Sequence, residues 1–282
     1  MKVIRRVAEL RALLDEHRQD SRSIGFVPTM GYFHEGHRSL MRRARDASDI
    51  VVVSLFVNPT QFNDPADLEK YPRDESNDFS IASEEGVDVM FAPSAEEIYP
   101  AGFSTTVSLK GVSEPLEGES RGASHFAGVA TVVAKLFNIV QPTSAFFGQK
   151  DAQQALVIRR MTRDLDFRVR IEVCPTVRES DGLAMSSRNV RLDAAARQQA
   201  RSLSAALFAA EKAVANGTRD AAGVLAAAQD VLGHSGVTPQ YLALVSTDTL
   251  QPVTKIDGEA LLAVAAFVGG VRLIDNTILT AE

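Results

Sequence analysis

Ile50-Val51-Val52-Val53-Ser54-Leu55-Phe56-Val57 is apolar at every position but Ser54 and rich in β-branched residues. A run of that length and composition reads as a strand buried on both faces, the condition of an inner strand in a parallel sheet. On its N-terminal side Ile24-Gly25-Phe26-Val27 is a shorter apolar run, followed by a glycine-containing loop and a helical pattern through Leu40, Met41 and Ala44. On its C-terminal side a helical stretch over residues 74–85 leads through Gly86 to a third strand, Val87-Asp88-Val89-Met90-Phe91. Residues 129–140 are apolar over a helical length, Ala145-Phe146-Phe147 is a short strand, residues 151–164 form a helix and residues 167–173 another strand. Strands alternating with helices in this way predict an open, mostly parallel α/β sheet.

The last hundred residues follow a different pattern. Asp193 is placed to cap a long Ala-rich helix with Leu203, Leu207 and Val214 on one side, stopped by Asn216-Gly217. Thr218 is expected to cap a second helix ending near Gly233, and strands follow at residues 241–245, 261–268 and 271–274. Two helices and then strands imply a smaller α+β domain. The division falls at residues 177–189, giving domains over 1–176 and 177–282. The N-terminal stretch MKVIRRVAELRALLDEHR mixes charged and apolar residues with a helical period and lacks the continuous apolar core of a signal peptide.

Composition narrows the chemistry. The 282 residues are 45% hydrophobic and 23% charged, with 36 acidic against 30 basic side chains and a formal net charge of −6. No long basic run appears, so nucleic acid and anionic membrane are poor partners, and a phosphate-rich ligand must be held by locally placed groups. The longest uncharged apolar stretch, residues 260–271, is too short to span a bilayer. The single cysteine, Cys174, forms no internal disulfide and lies in apolar sequence as a small buried hydrophobe. A reducing, cytoplasmic setting is the expectation.

Four segments carry chemistry. Pro28-Thr29-Met30-Gly31-Tyr32-Phe33-His34-Glu35-Gly36-His37 follows a buried strand and opens a helix. Ligands of open α/β sheets bind at the carboxyl ends of strands, where a helix N-terminus presents N–H groups to phosphate. His34 and His37 are one helical turn apart, so both rings can face one point and donate to charge building on phosphoryl oxygens. A metal pair would need further ligands, and no third histidine or cysteine lies nearby in sequence. Phe147-Gly148-Gln149-Lys150-Asp151-Ala152-Gln153-Gln154 repeats the strand–glycine–helix plan. Lys150 there is a point charge for phosphate, Asp151 either a helix cap or a ribose acceptor, and Gln154 one turn further along the face of Lys150. Met185-Ser186-Ser187-Arg188-Asn189 offers two hydroxyls and a guanidinium in a loop, either a mobile pyrophosphate clamp or a turn whose serines cap the next helix. Asn58-Pro59-Thr60-Gln61-Phe62 follows the Ile50 strand; the Gln61 amide can orient a carboxylate or hydroxyl, or simply be a loop glutamine.

Taken together, PTMGxxHxGH, NPxQF, FGxKDxQQ and MSSRN, in this order and at these separations, resemble the pantothenate synthetase (pantoate–β-alanine ligase) family. The likeness extends to Tyr71-Pro72-Arg73, His125-Phe126-Ala127-Gly128-Val129, Val177-Arg178-Glu179 and Arg272-Leu273-Ile274-Asp275-Asn276. It implies a Rossmann-like domain with a smaller C-terminal lid domain, in a homodimer. The implied reaction has two steps: pantoate's carboxylate attacks the α-phosphorus of Mg2+-bound ATP, and β-alanine's amine then displaces AMP from pantoyl adenylate. Carried over by position, Met30, Gly31, Tyr32, Phe33, His34, Glu35, Gly36 and His37 line the ATP site, with His37 as proton donor and His34 beside it. Gly148, Gln149, Lys150 and Asp151 form a second ATP-binding stretch, with Lys150 on phosphate and Asp151 near the ribose. Val177 meets the adenine through its backbone, and Met185, Ser186, Ser187 and Arg188 fold over the phosphates. Gln61 and Gln154 hold pantoate, with Gln61 also near β-alanine, and no protein metal site is implied.

The sequence departs from the family pattern in three places. Phe33 stands where leucine is usual and Gln149 where glutamate is common. Arg121-Gly122-Ala123-Ser124-His125 has one residue more than the family's Arg-Pro-x-His-Phe and lacks its proline, so Arg121 and His125 are not carried over. Two other readings use the same histidine pair: an adenylyl- or cytidylyltransferase of the same superfamily, which would act on a phosphorylated acceptor, and a nucleotide-binding regulatory protein without catalysis.

Overall fold

The computed structural model of the chain describes residues 1–63 and 65–281. Contacts divide it into two compact units, Met1–Gly148 with Gln153–Pro175 and Gln149–Ala152 with Thr176–Glu282. The short turn 149–152 therefore packs with the C-terminal unit, although both flanking segments belong to the first.

The first unit contains, in chain order, β1 (Lys2–Ile4), α1 (Val7–Gln19), β2 (Ile24–Thr29), α2 (Glu35–Ala47) and β3 (Ile50–Leu55). It continues with α3 (Pro65–Glu69), α4 (Glu75–Glu84), β4 (Val89–Phe91), α5 (Ala95–Ile98), α6 (Glu117–Arg121), α7 (Ala123–Val140), β5 (Ser144–Gly148), α8 (Ala152–Asp164) and β6 (Arg170–Cys174). The six strands form one sheet in the order β1-β4-β3-β2-β5-β6, and every pairing is parallel. Strand alternation sorts the apolar residues into two layers. Phe26, Val52 and Phe91 join Leu10, Leu14, Val133, Phe137 and Ile158 on one face. Val27, Val51, Val53 and Met90 join Leu40, Met41, Ala44 and Ala82 on the other. Both faces are thus covered by helices, which is why the β3 sequence is apolar at every position but Ser54.

The strand order reverses between β2 and β5: the chain runs outward through β3 and β4, then returns to build β5 and β6 on the other side of β2. That switch point, at the carboxyl ends of β2 and β5, is where open α/β sheets bind ligands. The two histidines and the Gly148 turn follow these two strands.

Two differences from the sequence expectation bear on the parallel sheet, and the strand expected at 271–274 runs on to Thr280. The helical period of the N-terminal stretch holds only from Val7; Lys2–Ile4 is a strand pairing in parallel with β4. Three residues on a sheet edge carry no periodicity of their own, and the pairing that defines them is remote in sequence. The 87–91 strand is shortened to Val89–Phe91, because the Asp88 carboxylate binds Arg45 (2.6 Å) and the Val51 N–H (2.8 Å).

The C-terminal unit holds α9 (Ala194–Ala215), α10 (Ala221–His234) and an antiparallel sheet of β7 (Pro239–Ser246), β8 (Glu259–Val268) and β9 (Val271–Thr280). Leu203, Leu207, Val214, Val224 and Leu232 of the helices pack on Leu262, Val264, Ala266, Leu273 and Leu279 of the sheet. Asp193 caps α9, accepting from the Ala196 N–H at 2.8 Å. Asp220, not Thr218, caps α10, accepting from the Gly223 N–H at 2.8 Å; a carboxylate also complements the helix dipole, which a hydroxyl does not. No described helix is long and apolar enough to cross a membrane.

Candidate active site

The loop after β2 is shaped by a buried carboxylate. Gly31 has φ 89° and Tyr32 φ 54°, both in the left-handed region. Asp78 of α4, 1% exposed, accepts from the Tyr32 N–H at 2.8 Å and the Phe33 N–H at 2.7 Å. A Cβ on Gly31 would lie 2.4 Å from Leu55 Cδ1 and 2.8 Å from Asp78 Oδ2, so the turn has no room for a side chain. Burial pushes the Asp78 carboxyl above the usual range, opposed by the two backbone bonds.

His34 is the N-cap of α2. Its Nδ1 accepts from the Gly36 N–H at 3.1 Å, while His37 Nδ1 accepts from the His34 N–H at 3.3 Å. This is a capping box built from two imidazoles. An Nδ1 that accepts carries no proton, so each neutral ring bears its hydrogen on Nε2. The rings lie 4.2 Å apart, and Phe33, packed in the core, sits 5.3 Å from the His37 ring. Donors of this kind at the start of a helix are suited chemically to an anion. Glu35 contributes no such donor: its carboxylate is engaged by Arg42 at 2.5 Å. Arg42 and Arg38 also grip Glu85 at the end of α4, tying α2 to the helix that supplies Asp78.

The loop after β3 is organised by Asn58, 1% exposed. Its Oδ1 accepts from Tyr99 Oη (2.8 Å) and Thr60 Oγ1 (2.9 Å), and its Nδ2 donates to Gly128 O (3.2 Å) and Gln61 Oε1 (3.1 Å). Because Gln61 Oε1 receives that bond, its Nε2 is the donor side, and it reaches Met30 Sδ at 3.0 Å. The structure thereby brings Gln61 and Met30 together. It also brings in His125, whose Nδ1 donates to the Gln61 carbonyl at 2.8 Å; a carbonyl only accepts, so His125 has the opposite tautomer from His34 and His37. Of the adjacent glutamines on α8, Gln153 is buried and structural, bonding Glu117 N, Val112 O and Pro115 O. Gln154 is half-buried beside it.

In the C-terminal unit, Gln149–Asp151 forms a 3-10 turn with Lys150 Nζ 3.4 Å from Asp151 Oδ1. Asp151 thus has a cation partner within its own turn. Val177 O accepts from Met185 N (2.9 Å), and an antiparallel bridge joins Arg178 to Ala184, closing a hairpin. Ser186 accepts from the Arg188 N–H at 3.2 Å and caps the 3-10 turn Ser187–Arg191. The serine therefore does cap, but a short turn; α9 has its own cap in Asp193. Around the 185–189 segment, buried Asn189 donates to Glu179 Oε1 (2.7 Å) and Ala184 O (3.0 Å), and Arg197 pairs with Glu179 and Asp181. Met185, Ser186, Ser187 and Arg188 remain half-buried.

Sequence reasoning misses Asp78, Asn58, Tyr99 and His125 as organisers of these loops. Asn58 carried a signal as a neighbour of Gln61 in one motif, and His125 as part of the run 125–129; Asp78 and Tyr99 carried none. Among the described residues no group of three or more His, Cys, Asp or Glu could hold a metal.

The model of the pantoate-beta-alanine ligase family matches residues 2–278. The chain belongs to that family. It is therefore a ligase, and the nucleotidyltransferase and non-catalytic readings are set aside. Among curated relatives, the pantothenate synthetase of Thermotoga petrophila is 53% identical over 99% of this chain and 100% of its own. That of Cereibacter sphaeroides is 52% identical over 97% and 98%. Among solved structures, pantothenate synthetase from Thermus thermophilus superposes with a TM-score of 0.93 at 46% identity, covering 98% of this chain and 99% of that one. A pantoate-beta-alanine ligase from Francisella tularensis, complexed with beta-gamma ATP and beta-alanine, gives 0.81 at 34% identity over 99% and 97%.

Proposed function

We propose that this pantoate–β-alanine ligase works through pantoyl adenylate, condensing (R)-pantoate with β-alanine and releasing AMP and pyrophosphate. The observation that carries this reading is the pair of imidazoles at the start of α2, each presenting Nε2–H because its Nδ1 already accepts a backbone hydrogen bond. In the first step a pantoate carboxylate oxygen attacks the α-phosphorus of ATP and the bond to the β-phosphate oxygen breaks. Charge grows on the phosphoryl oxygens and on the departing pyrophosphate, and His37, with His34 beside it, donates to that charge. Lys150, Ser186, Ser187 and Arg188 act on the phosphates, Asp151 on the ribose and Val177, by its backbone, on the adenine. Mg2+ bound with ATP would neutralise part of the triphosphate's charge.

Gln61 presents Nε2–H to pantoate oxygens, its amide orientation set by Asn58, and Gln154 is the second pantoate contact. In the second step the β-alanine amine attacks the acyl carbon, loses a proton and expels AMP. A free carboxylate is a poor acyl electrophile and AMP a good leaving group, which is why the sequence of steps needs ATP. A cytoplasmic homodimer is part of the same proposal.

ATP–pyrophosphate exchange tests the reading. Exchange should require pantoate and proceed without β-alanine, and AMP should accumulate only when β-alanine is added. Exchange indifferent to pantoate would end the proposal.

A further inference from the structure

Strand alternation sets Leu273, Asp275 and Leu279 of β9 toward the helices of the C-terminal unit and leaves Arg272, Ile274, Ile278 and Thr280 half-buried or exposed. Asn276 belongs to the second set by register, yet it is 5% exposed. The reason is the Gln149–Asp151 turn packed over it. Asn276 Nδ2 donates to Gln149 O at 3.0 Å and to Lys150 O at 2.9 Å, and its Oδ1 accepts from Gln149 Nε2 at 2.9 Å. Both amide hydrogens and the amide oxygen are engaged with one turn. Two consecutive carbonyls drawn to one nitrogen fix the peptide plane between them, and with it the direction in which Lys150 leaves the backbone.

The preceding residue holds the other phosphate-handling segment of the same unit. Asp275, 3% exposed, forms a two-pronged pair with Arg178 at 2.6 and 3.2 Å and accepts from the Asn276 N–H at 2.8 Å. Arg178 also donates to Gly182 O at 3.2 Å, inside the hairpin that ends in Met185, Ser186, Ser187 and Arg188. Burial pushes the Asp275 carboxyl upward against the pull of Arg178.

We propose that the Asp275-Asn276 dipeptide is a positioning element for the phosphate chemistry: Asn276 sets Lys150 through the two carbonyls, and Asp275 sets the 178–188 hairpin through Arg178. The inference rests on the adenylation reading above. It separates the two chemical steps, because pyrophosphate is present in the first and gone in the second.

Asn276→Asp is isosteric and replaces the two donors with an oxygen facing two carbonyls. Single-turnover formation of pantoyl adenylate should fall about 10–100-fold, the scale of a misplacement near 1 Å. The reaction of preformed pantoyl adenylate with β-alanine should change by less than about threefold, since Lys150 then has no pyrophosphate to hold. In a Lys150→Ala background, Asn276→Asp should cause no further loss of adenylation, because it acts through a group already removed. Thermal unfolding checks that the variants fold; if Asn276→Asp does not, Asn276→Ala removes the donors without adding charge and is judged by the same two rates. Equal losses in both steps, an adenylation rate within threefold of wild type, or a full further loss on top of Lys150→Ala would overturn the assignment. A wild-type enzyme that forms no pantoyl adenylate would instead remove the functional reading, and this inference with it.

Discussion

Gly128 offers a quantitative test of how the Gln61 loop is held. It lies inside α7, where alanine is normally the better residue by about 1 kcal/mol. Here a Cβ would sit 2.5 Å from Thr60 O, 2.7 Å from Thr60 C and 2.9 Å from Gln61 Cα, all backbone atoms of the Pro59–Gln61 turn. Ordinary contact begins near 3.4 Å, so the turn must retreat by about 1 Å. It cannot do so cheaply, because Asn58 ties it to Tyr99 and to Gly128 O. Overpacking of this kind costs about 1–3 kcal/mol, which outweighs the propensity gain. Gly128→Ala should therefore lose up to about 2 kcal/mol of stability. It should also raise the pantoate KM and slow adenylation, by up to about 100-fold if Gln61 moves with the turn. Gly233→Ala is the control: it is also helical, in α10, with nothing within 4 Å of the added Cβ. It should gain about 0.5–1 kcal/mol and leave the kinetics unchanged. Urea unfolding and pantoate-dependent pyrophosphate exchange measure both. If Gly128→Ala behaves like Gly233→Ala, the close approach of α7 to the turn does not constrain the site.

Asp78→Asn keeps one acceptor but turns an amide N–H toward a backbone N–H. Relief of a buried charge offsets part of the loss, yet removing one charge-assisted bond of about 2 kcal/mol should still slow adenylation about 10–30-fold. An unchanged rate and melting midpoint would mean the loop is held by other contacts. Glu85 gives a pH prediction. Its carboxyl is held below the usual range, first by the Arg42 hydrogen bond, against burial and with help from Arg38. A depressed folded pKa gives stability that is present above the unfolded value, near 4.3, and lost as pH falls through the folded value. Wild-type urea midpoints should thus drop more steeply below about pH 5 than those of Glu85→Gln, and parallel curves would contradict the pairing. His37→Ala should slow single-turnover adenylation about 10²–10⁴-fold, measured by rapid quench; a wild-type rate would show the donor is elsewhere.

Much of the sheet is legible because β2 and β3 are buried on both faces and are apolar apart from Thr29 and Ser54. The β1 edge strand is not, since three residues that pair with β4 carry no pattern. The histidine pair is legible as a spacing, but its tautomers depend on Nδ1 accepting from Gly36 and His34, which no spacing encodes. Asp78 is hidden in a helical run and is recognised only when its oxygens meet the N–H groups of Tyr32 and Phe33, more than forty residues away. Asn276 lies beyond the strand expected at 271–274; β9 runs on to Thr280, alternation along it would leave Asn276 on the outer face, and the Gln149–Asp151 turn buries it.

Attack of the pantoate carboxylate on the α-phosphorus of ATP is the step on which everything else depends. Pantoate carrying ¹⁸O in both carboxylate oxygens, turned over with β-alanine and unlabelled ATP, tests it directly. One ¹⁸O should appear in the phosphate of AMP and one should remain in the amide carbonyl of pantothenate. Label in inorganic phosphate, or AMP without label, would contradict the account.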